Sequence, residues 1–320
     1  MRLTTAGTAL LLAAAVPAVV VSSSSAMPAP TAAVTSASVS TTSAAPTSAV
    51  LPLAAGPIPS SWEGGHRVPV APRWWPTGYS HASAAWSSAW PKPVEFSPTK
   101  KGRLSGLVIA LDPGHDIGNG HHVSLINKTY WVGLTKTCNT TGTATNAGYP
   151  EATYNFDVVA RLRRLLVAQG ATVVVTRDRN TTATYGPCIG ARGALPSQEK
   201  AALMVQVHAD GGPSTGRGFH IIAPAYYKGY TDDIYVGSAR LANAMVVGMA
   251  ASGIPRSTYL SKTIQVRKDT GAINMSNVPT VTVETLNMRN SRDAAIAMST
   301  AGRQKVAAGL YAGILRYLGR

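Results

Sequence analysis

Apolar residues along this chain follow two alternating rhythms. Leu107 to Leu111, Thr172 to Thr176, Leu203 to Val207, Gly218 to Ile222 and Thr280 to Val283 are short apolar or β-branched runs of the length a buried strand needs. Between them the spacing turns helical. Tyr154 to Ala168 sets Phe156, Val159, Leu162 and Leu166 on one face, with Arg161, Arg163 and Arg164 among its polar positions and Gly170 as its stop. Ala239 to Ala251 reads as a second helix ended near Gly253 and Pro255, and Arg292 to Leu318 as a third, with Gly302 as its candidate break. Strands separated by helices predict an α/β class fold, a single domain with a mostly parallel sheet and helices on both faces. No internal repeat is found.

The first hundred residues lack this alternation. Met1-Arg2 is positive, Ala9 to Val21 is apolar apart from Pro17, and Ser22 to Ala26 is small and polar, so 1–26 reads as a secretory signal peptide. A retained N-terminal anchor is the alternative, but the run is short for a membrane span and nothing later supplies one, so no stable membrane insertion is expected after cleavage. Residues 27–56 hold only small and weakly apolar types and read as a low-complexity linker that buries too little surface to fold. Residues 57–105 form an N-terminal arm rich in proline and carrying Trp62, Trp74, Trp75, Trp86 and Trp90. It reads as a sugar-stacking or wall-binding arm, a flap, or an extended segment whose tryptophans pack on the main domain. The main domain is assigned to 106–320.

Export changes the meaning of the cysteines and of the charge. Cys138 and Cys188 are the only two, and an even pair in an exported chain predicts a disulfide, whereas a two-cysteine metal site lacks its usual Cys-x-x-Cys spacing. The net charge of +15 and pI of about 10.1 favour a polyanion. Outside the cytoplasm that means acidic envelope or wall polymers, and no nucleic acid is expected as partner. The oligomeric state is not legible.

Ligands of open α/β sheets sit beyond the carboxyl ends of the strands. Leu107 to Leu111 leads to His115, Leu203 to Val207 to His208, and Thr280 to Val283 to Glu284, while Glu151 stands just before the helix at Tyr154. Two imidazoles and one carboxylate are a common catalytic zinc set, with the other carboxylate free to take a proton from water. On residue type alone the two glutamates are interchangeable. His121, His122 and His220 compete as ligands less well: the first two adjoin glycines in a loop, and the third is expected to alternate out of a strand.

The blocks "VIALDPGHDIGN", "PEATYNFDVVARLRRLLVAQGATVVVTR", "AALMVQVHAD", "GFHI" and "PTVTVETLNMRN" together resemble the zinc-dependent N-acetylmuramoyl-L-alanine amidases of the amidase-3 type, from about Leu107 to the C-terminus. The resemblance implies one zinc per chain held by His115, Glu151 and His208, with Glu284 as catalytic carboxylate, on a twisted mixed sheet. It also implies peptidoglycan or its fragments as substrate, cut between the lactyl group of muramic acid and L-alanine. A zinc peptidase cutting within the stem peptide and a wall-binding protein without catalysis are the rival readings. Arg192 is a candidate contact to substrate carboxylates, Asn290 a candidate groove residue, and Asp112 a candidate support for His115 or its turn. Two positions depart from the family pattern: Asp116 follows His115, and Leu286 stands two residues after Glu284, where glycine is usual.

Overall fold

Runs of valine, isoleucine and leucine with alternate buried faces build the centre of the molecule. In the computed structural model, which describes residues 86–320 and the backbone of His66–Arg67, the elements follow one another as strand β1 (His66–Arg67), β2 (Val94–Phe96) and β3 (Val108–Pro113). A 3-10 turn (Ile117–His121), helix α1 (Val123–Ile126) and a hairpin of β4 (Thr129–Trp131) and β5 (Thr135–Thr137) come next. Helix α2 (Glu151–Ala168), β6 (Thr172–Val175), α3 (Ile189–Gln198), β7 (Leu203–Asp210), β8 (His220–Pro224) and α4 (Tyr235–Ala251) follow. The chain closes with β9 (Ile264–Arg267), α5 (Gly271–Asn274), β10 (Thr280–Asn287), α6 (Ser291–Met298) and α7 (Thr300–Tyr317). The signal peptide, the linker, and Trp62, Trp74 and Trp75 lie outside the described residues.

The main sheet has the order β1-β2-β6-β3-β7-β10-β8-β9. Its four central strands, β6, β3, β7 and β10, are parallel, while β2 and β8 run antiparallel to their central neighbours, so the sheet is mixed. Strand alternation divides the two faces. Ile109, Leu111, Val205, Val207, Val281 and Val283 join α2, α4 and α7 in the large core. The intervening residues Ala110, Met204 and Ile222 face the other way, towards the smaller clusters beside α3 and α5. That second face is less fully covered by helix, and it carries Gln206, His208, Thr282 and Glu284.

Four local expectations are corrected. Helix α2 begins three residues early, at Glu151, because Pro150 in extended conformation serves as its cap. The final helix breaks at Ser299 rather than Gly302: extended Ser299 ends α6, and its side chain accepts from the Gly302 N–H to start α7. Helix α3 went unread, since "IGARGALPSQ" contains two glycines and a proline. Strand β2, inside the tryptophan-rich arm, pairs with β6 and so joins the main sheet.

Cys138 and Cys188 form a disulfide joining the segment after β5 to the start of α3. Trp90 is buried against it and meets Trp86 edge to face at 6.0 Å, so these two arm tryptophans pack on the domain. Among the described residues no helix is long and apolar enough to cross a membrane.

Candidate functional site

The turn after β3 is built around two backbone necessities. A Cβ on Gly114 would lie 2.2 Å from the His208 ring, so only glycine lets this turn pass β7. His115 then adopts φ 58, a left-handed conformation that costs a non-glycine residue about 1–3 kcal/mol and persists only when its surroundings enforce it. Arg192 supplies that enforcement. Its NH1 donates to the Pro113 carbonyl at 2.8 Å and to Asp112 Oδ1 at 2.7 Å, and its NH2 to the His115 carbonyl at 2.7 Å and the Gly186 carbonyl at 2.7 Å. Its Nε donates to the Pro187 carbonyl at 2.9 Å.

His115 Nδ1 lies 3.0 Å from the Thr140 carbonyl, which can only accept, so this nitrogen bears hydrogen and Nε2 turns to Glu151 Oε2 at 3.2 Å. His208 Nδ1 lies 3.0 Å from Glu151 Oε1. The ligand atoms of His115, Glu151 and His208 all lie within 4.8 Å of one another, and the imidazoles meet edge to face at 4.8 Å. Glu151 is buried at the first residue of α2, where the helix dipole favours its charge. Its oxygens also accept from the N–H groups of Ala209 at 3.1 Å and Thr143 at 2.9 Å, and from Asn155 Nδ2 at 3.1 Å. Burial alone would raise the Glu151 pKa, but His115 and His208 hold it well below the ordinary carboxylate range. Burial likewise pushes His115 down, and Glu151 more than reverses this, leaving its pKa raised.

Glu284 sits one strand away. Its Cα partners are His208 on β7 and His220 on β8, so all three side chains share the second face of the sheet. Its Oε2 is buried without a hydrogen-bond partner, and burial, followed by the charges of Glu151 and Asp210, raises its pKa well above the ordinary value. Beside the cluster a cavity of about 300 Å³ is lined by His115, His208, Gln206, Thr282, Lys136 and Asp269, among others. His208 and Glu284 thus stand within β7 and β10 rather than beyond them, because both strands run on past the expected ends and present these groups on the open face.

Arg192 also lines this cavity, and all its guanidinium nitrogens donate inside the fold, tying the turn after β3 together. Asn290 caps α6, accepting from Arg292 N–H and Asp293 N–H, and donates to the Ser214 carbonyl at 2.8 Å. Asp112 makes no bond to the His115 ring and acts on its turn through Arg192. Asp116 is buried, accepts from the Gly118 N–H at 2.8 Å, and is pushed up by burial to about 6. Leu286 lies in the large core. His121 is exposed, His122 stacks on Tyr185, and His220 is buried against Tyr259. Sequence reasoning missed Asn155, although its place four residues after Glu151 puts both on one helix face.

Replacing Arg192 with leucine removes the cation paired with buried Asp112 and the donor to the His115 and Gly186 carbonyls, while the Pro113 and Pro187 carbonyls keep Arg177 Nε and Asn139 Nδ2. We expect a loss of about 3–5 kcal/mol, read as a lower denaturant midpoint, with lysine failing to restore it because it lacks the planar fork.

A mixed sheet carrying a His-Glu-His cluster beside a buried carboxylate is the framework of a hydrolase. Residues 109–316 match the Amidase_3 family model, N-acetylmuramoyl-L-alanine amidase, and the chain belongs to that family. An N-acetylmuramoyl-L-alanine amidase of Mycobacterium tuberculosis is 35% identical over 219 residues, 67% of this chain and 88% of that protein. The crystal structure of the amidase Ami1 from Mycobacterium smegmatis is 35% identical, covers 68% of this chain and 98% of its own, and superposes with a TM-score of 0.63. The apo form of Ami1 from Mycobacterium abscessus gives 34%, 67%, 100% and 0.63.

Proposed function

We propose that this amidase is an exported zinc enzyme that cuts the amide between the lactyl group of N-acetylmuramic acid and L-alanine. The observation that carries this reading is the convergence of one ligand atom each from His115, Glu151 and His208 within 4.8 Å, with Glu284 in register with His208 on the neighbouring strand. The donor set fits zinc: two imidazoles and a carboxylate are a common catalytic combination, and the His115 tautomer is fixed by the Thr140 carbonyl. One zinc per chain, when bound, supplies a water of near-neutral pKa and polarises the scissile carbonyl. Glu284 takes a proton from the attacking water on its carboxylate and passes it to the departing alanine nitrogen, so the amine leaves neutral. Its placement in β10, in register with His208, fixes that carboxylate relative to the cluster. No covalent intermediate with the protein is required.

The +15 charge adds a screened attraction to anionic envelope polymers that prolongs residence on the wall. Mass spectrometry of digested muropeptides tests the bond assignment. Peptides with free L-alanine amino termini beside sugars bearing intact lactyl groups are expected. Cuts inside the stem peptide would assign a peptidase instead, and no release at all a binding protein.

A further inference from the structure

Strand β8 opens with a histidine that the proposed chemistry does not use. Phe219 and Ile221 on either side of it enter the large core, so strand alternation turns His220 to the second face of the sheet, beside Glu284. The residue is only 5% exposed, and burying an imidazole costs free energy unless its nitrogens are satisfied. His220 Nδ1 is nevertheless buried without a hydrogen-bond partner. Its direct partner across the antiparallel β8–β10 ladder is Glu284, whose Oε2 is buried and unpartnered as well. Buried unpaired polar atoms are few in a folded protein, and each asks for a function or a missing partner. Here a nitrogen and an oxygen are orphaned on paired residues, whose Cβ atoms such a ladder holds about 4.5–5.5 Å apart.

The imidazole is also held from behind. Its ring meets Tyr259 edge to face at 6.3 Å, and Tyr259 Oη donates to Asp210 Oδ2 at 2.8 Å. The loop after β7 presses on the same tyrosine, since a Cβ on Gly212 or Gly216 would lie 2.7 or 2.6 Å from its ring. The backbone next to His220 is tied to the segment that carries Tyr259. Phe219 N–H donates to the Pro255 carbonyl at 2.9 Å, and Ser257 N–H to the Phe219 carbonyl at 2.7 Å. Glu284 therefore stands in one row between two imidazoles, His208 of the ligand cluster on one side and His220 on the other. Hydrogen bonds among catalytic groups are often long in a free enzyme and tighten when substrate binds.

We propose that His220 is a positioning residue for Glu284: with substrate bound, its Nδ1–H donates to Oε2, which leaves Oε1 turned toward the attacking water. The proposal rests on the proton-transfer role given to Glu284 in the amidase reading. His220 touches no reacting atom and exchanges no proton. The proton moves from water to Glu284 and from Glu284 to the departing amine, and the imidazole only fixes the direction from which the carboxylate acts.

The test uses the full chain with His220→Leu, which removes the donor, and His220→Asn, whose amide nitrogen takes the place of Nδ1. Rates are read on a soluble N-acetylmuramoyl dipeptide, together with zinc content and denaturant midpoint. Partners that orient a working group contribute roughly 10- to 100-fold. We expect His220→Leu to lose at least tenfold in kcat with KM within threefold of the parent, and His220→Asn to recover most of that loss. Zinc should stay stoichiometric in both, and the midpoint of His220→Leu should not fall, because an apolar side chain of similar size removes an unsatisfied buried nitrogen. In a Glu284→Gln background, adding His220→Leu should cost less than a further twofold, since groups that act through one another are not additive. A loss under tenfold in His220→Leu, an equal loss in His220→Asn, a midpoint or zinc content that falls with activity, or a full further loss in the Glu284→Gln background would each overturn the assignment. Failure of the amidase reading is visible separately. Products cut inside the stem peptide would remove that reading, and the same variants, read on the bond the parent cuts, would still decide the part played by His220.

Discussion

Changing Glu284→Gln lowers kcat by roughly 100- to 10,000-fold, the range contributed by a positioned general base and acid. The substitution keeps the size and shape of the side chain, and the backbone pairing of position 284 with His208 and His220 is indifferent to it. The fold therefore stands, and zinc binding should stay stoichiometric, since Glu284 contributes no donor to the His-Glu-His cluster. Stability should move the other way from activity. Burial and the charges of Glu151 and Asp210 raise the carboxyl pKa of Glu284 in the folded chain. A carboxyl whose folded pKa is raised binds its proton more tightly in the native state, so it favours the fold at low pH and opposes it as pH rises past that value. At neutral pH the metal-free Glu284→Gln chain should accordingly be no less stable than the parent. Steady-state rates on a soluble muramoyl dipeptide, metal content and denaturation midpoint together check this. A variant with undiminished turnover removes Glu284 from the proton path, and one that loses metal in parallel makes it a ligand.

Much of this site was readable because each principal group adjoins an apolar run. His115 follows β3, and His208 and Glu284 interrupt the alternation of β7 and β10 with groups that a core has no use for. What residue type could not separate was the pair of glutamates. Coordinates separate them by contact: Glu151 touches both imidazoles, whereas Glu284 leaves an oxygen without a partner. The structural part played by Arg192 was hidden for a different reason. The carbonyls that take its donors belong to residues 113 and 115, 79 and 77 residues away, and to 186 and 187, six and five residues away, and nothing in "GARGAL" announces them. Asn290 carried a local signal for its capping role, since Asn followed three residues later by Asp is a helix-start pattern. Strand β2 escaped because three residues among prolines show no period of their own, and only pairing with β6 makes them a strand.

Removing divalent metal should abolish hydrolysis, and the same cluster predicts how the loss depends on pH. The chain should bind about one zinc, lose activity to a chelator and regain it on zinc addition. His115→Ala and His208→Ala should each abolish stoichiometric binding, because two remaining protein donors are one short of the usual catalytic set. A readout independent of turnover is available in stability: zinc at about 100 times its dissociation constant stabilises the native parent by about 2.7 kcal/mol, and the alanine variants should show no such gain. Protons compete for the same nitrogens. The Glu151 carboxylate raises the pKa of His115, and an imidazole must be neutral to bind metal, so zinc affinity should begin to fall, as pH is lowered, at a higher pH than for an ordinary histidine. Calorimetric titrations across that range should also show protons released on binding. Stoichiometric zinc in both alanine variants would reassign the cluster to a buried ion network that holds the turn after β3 to the start of α2, and the catalytic reading would fall with it.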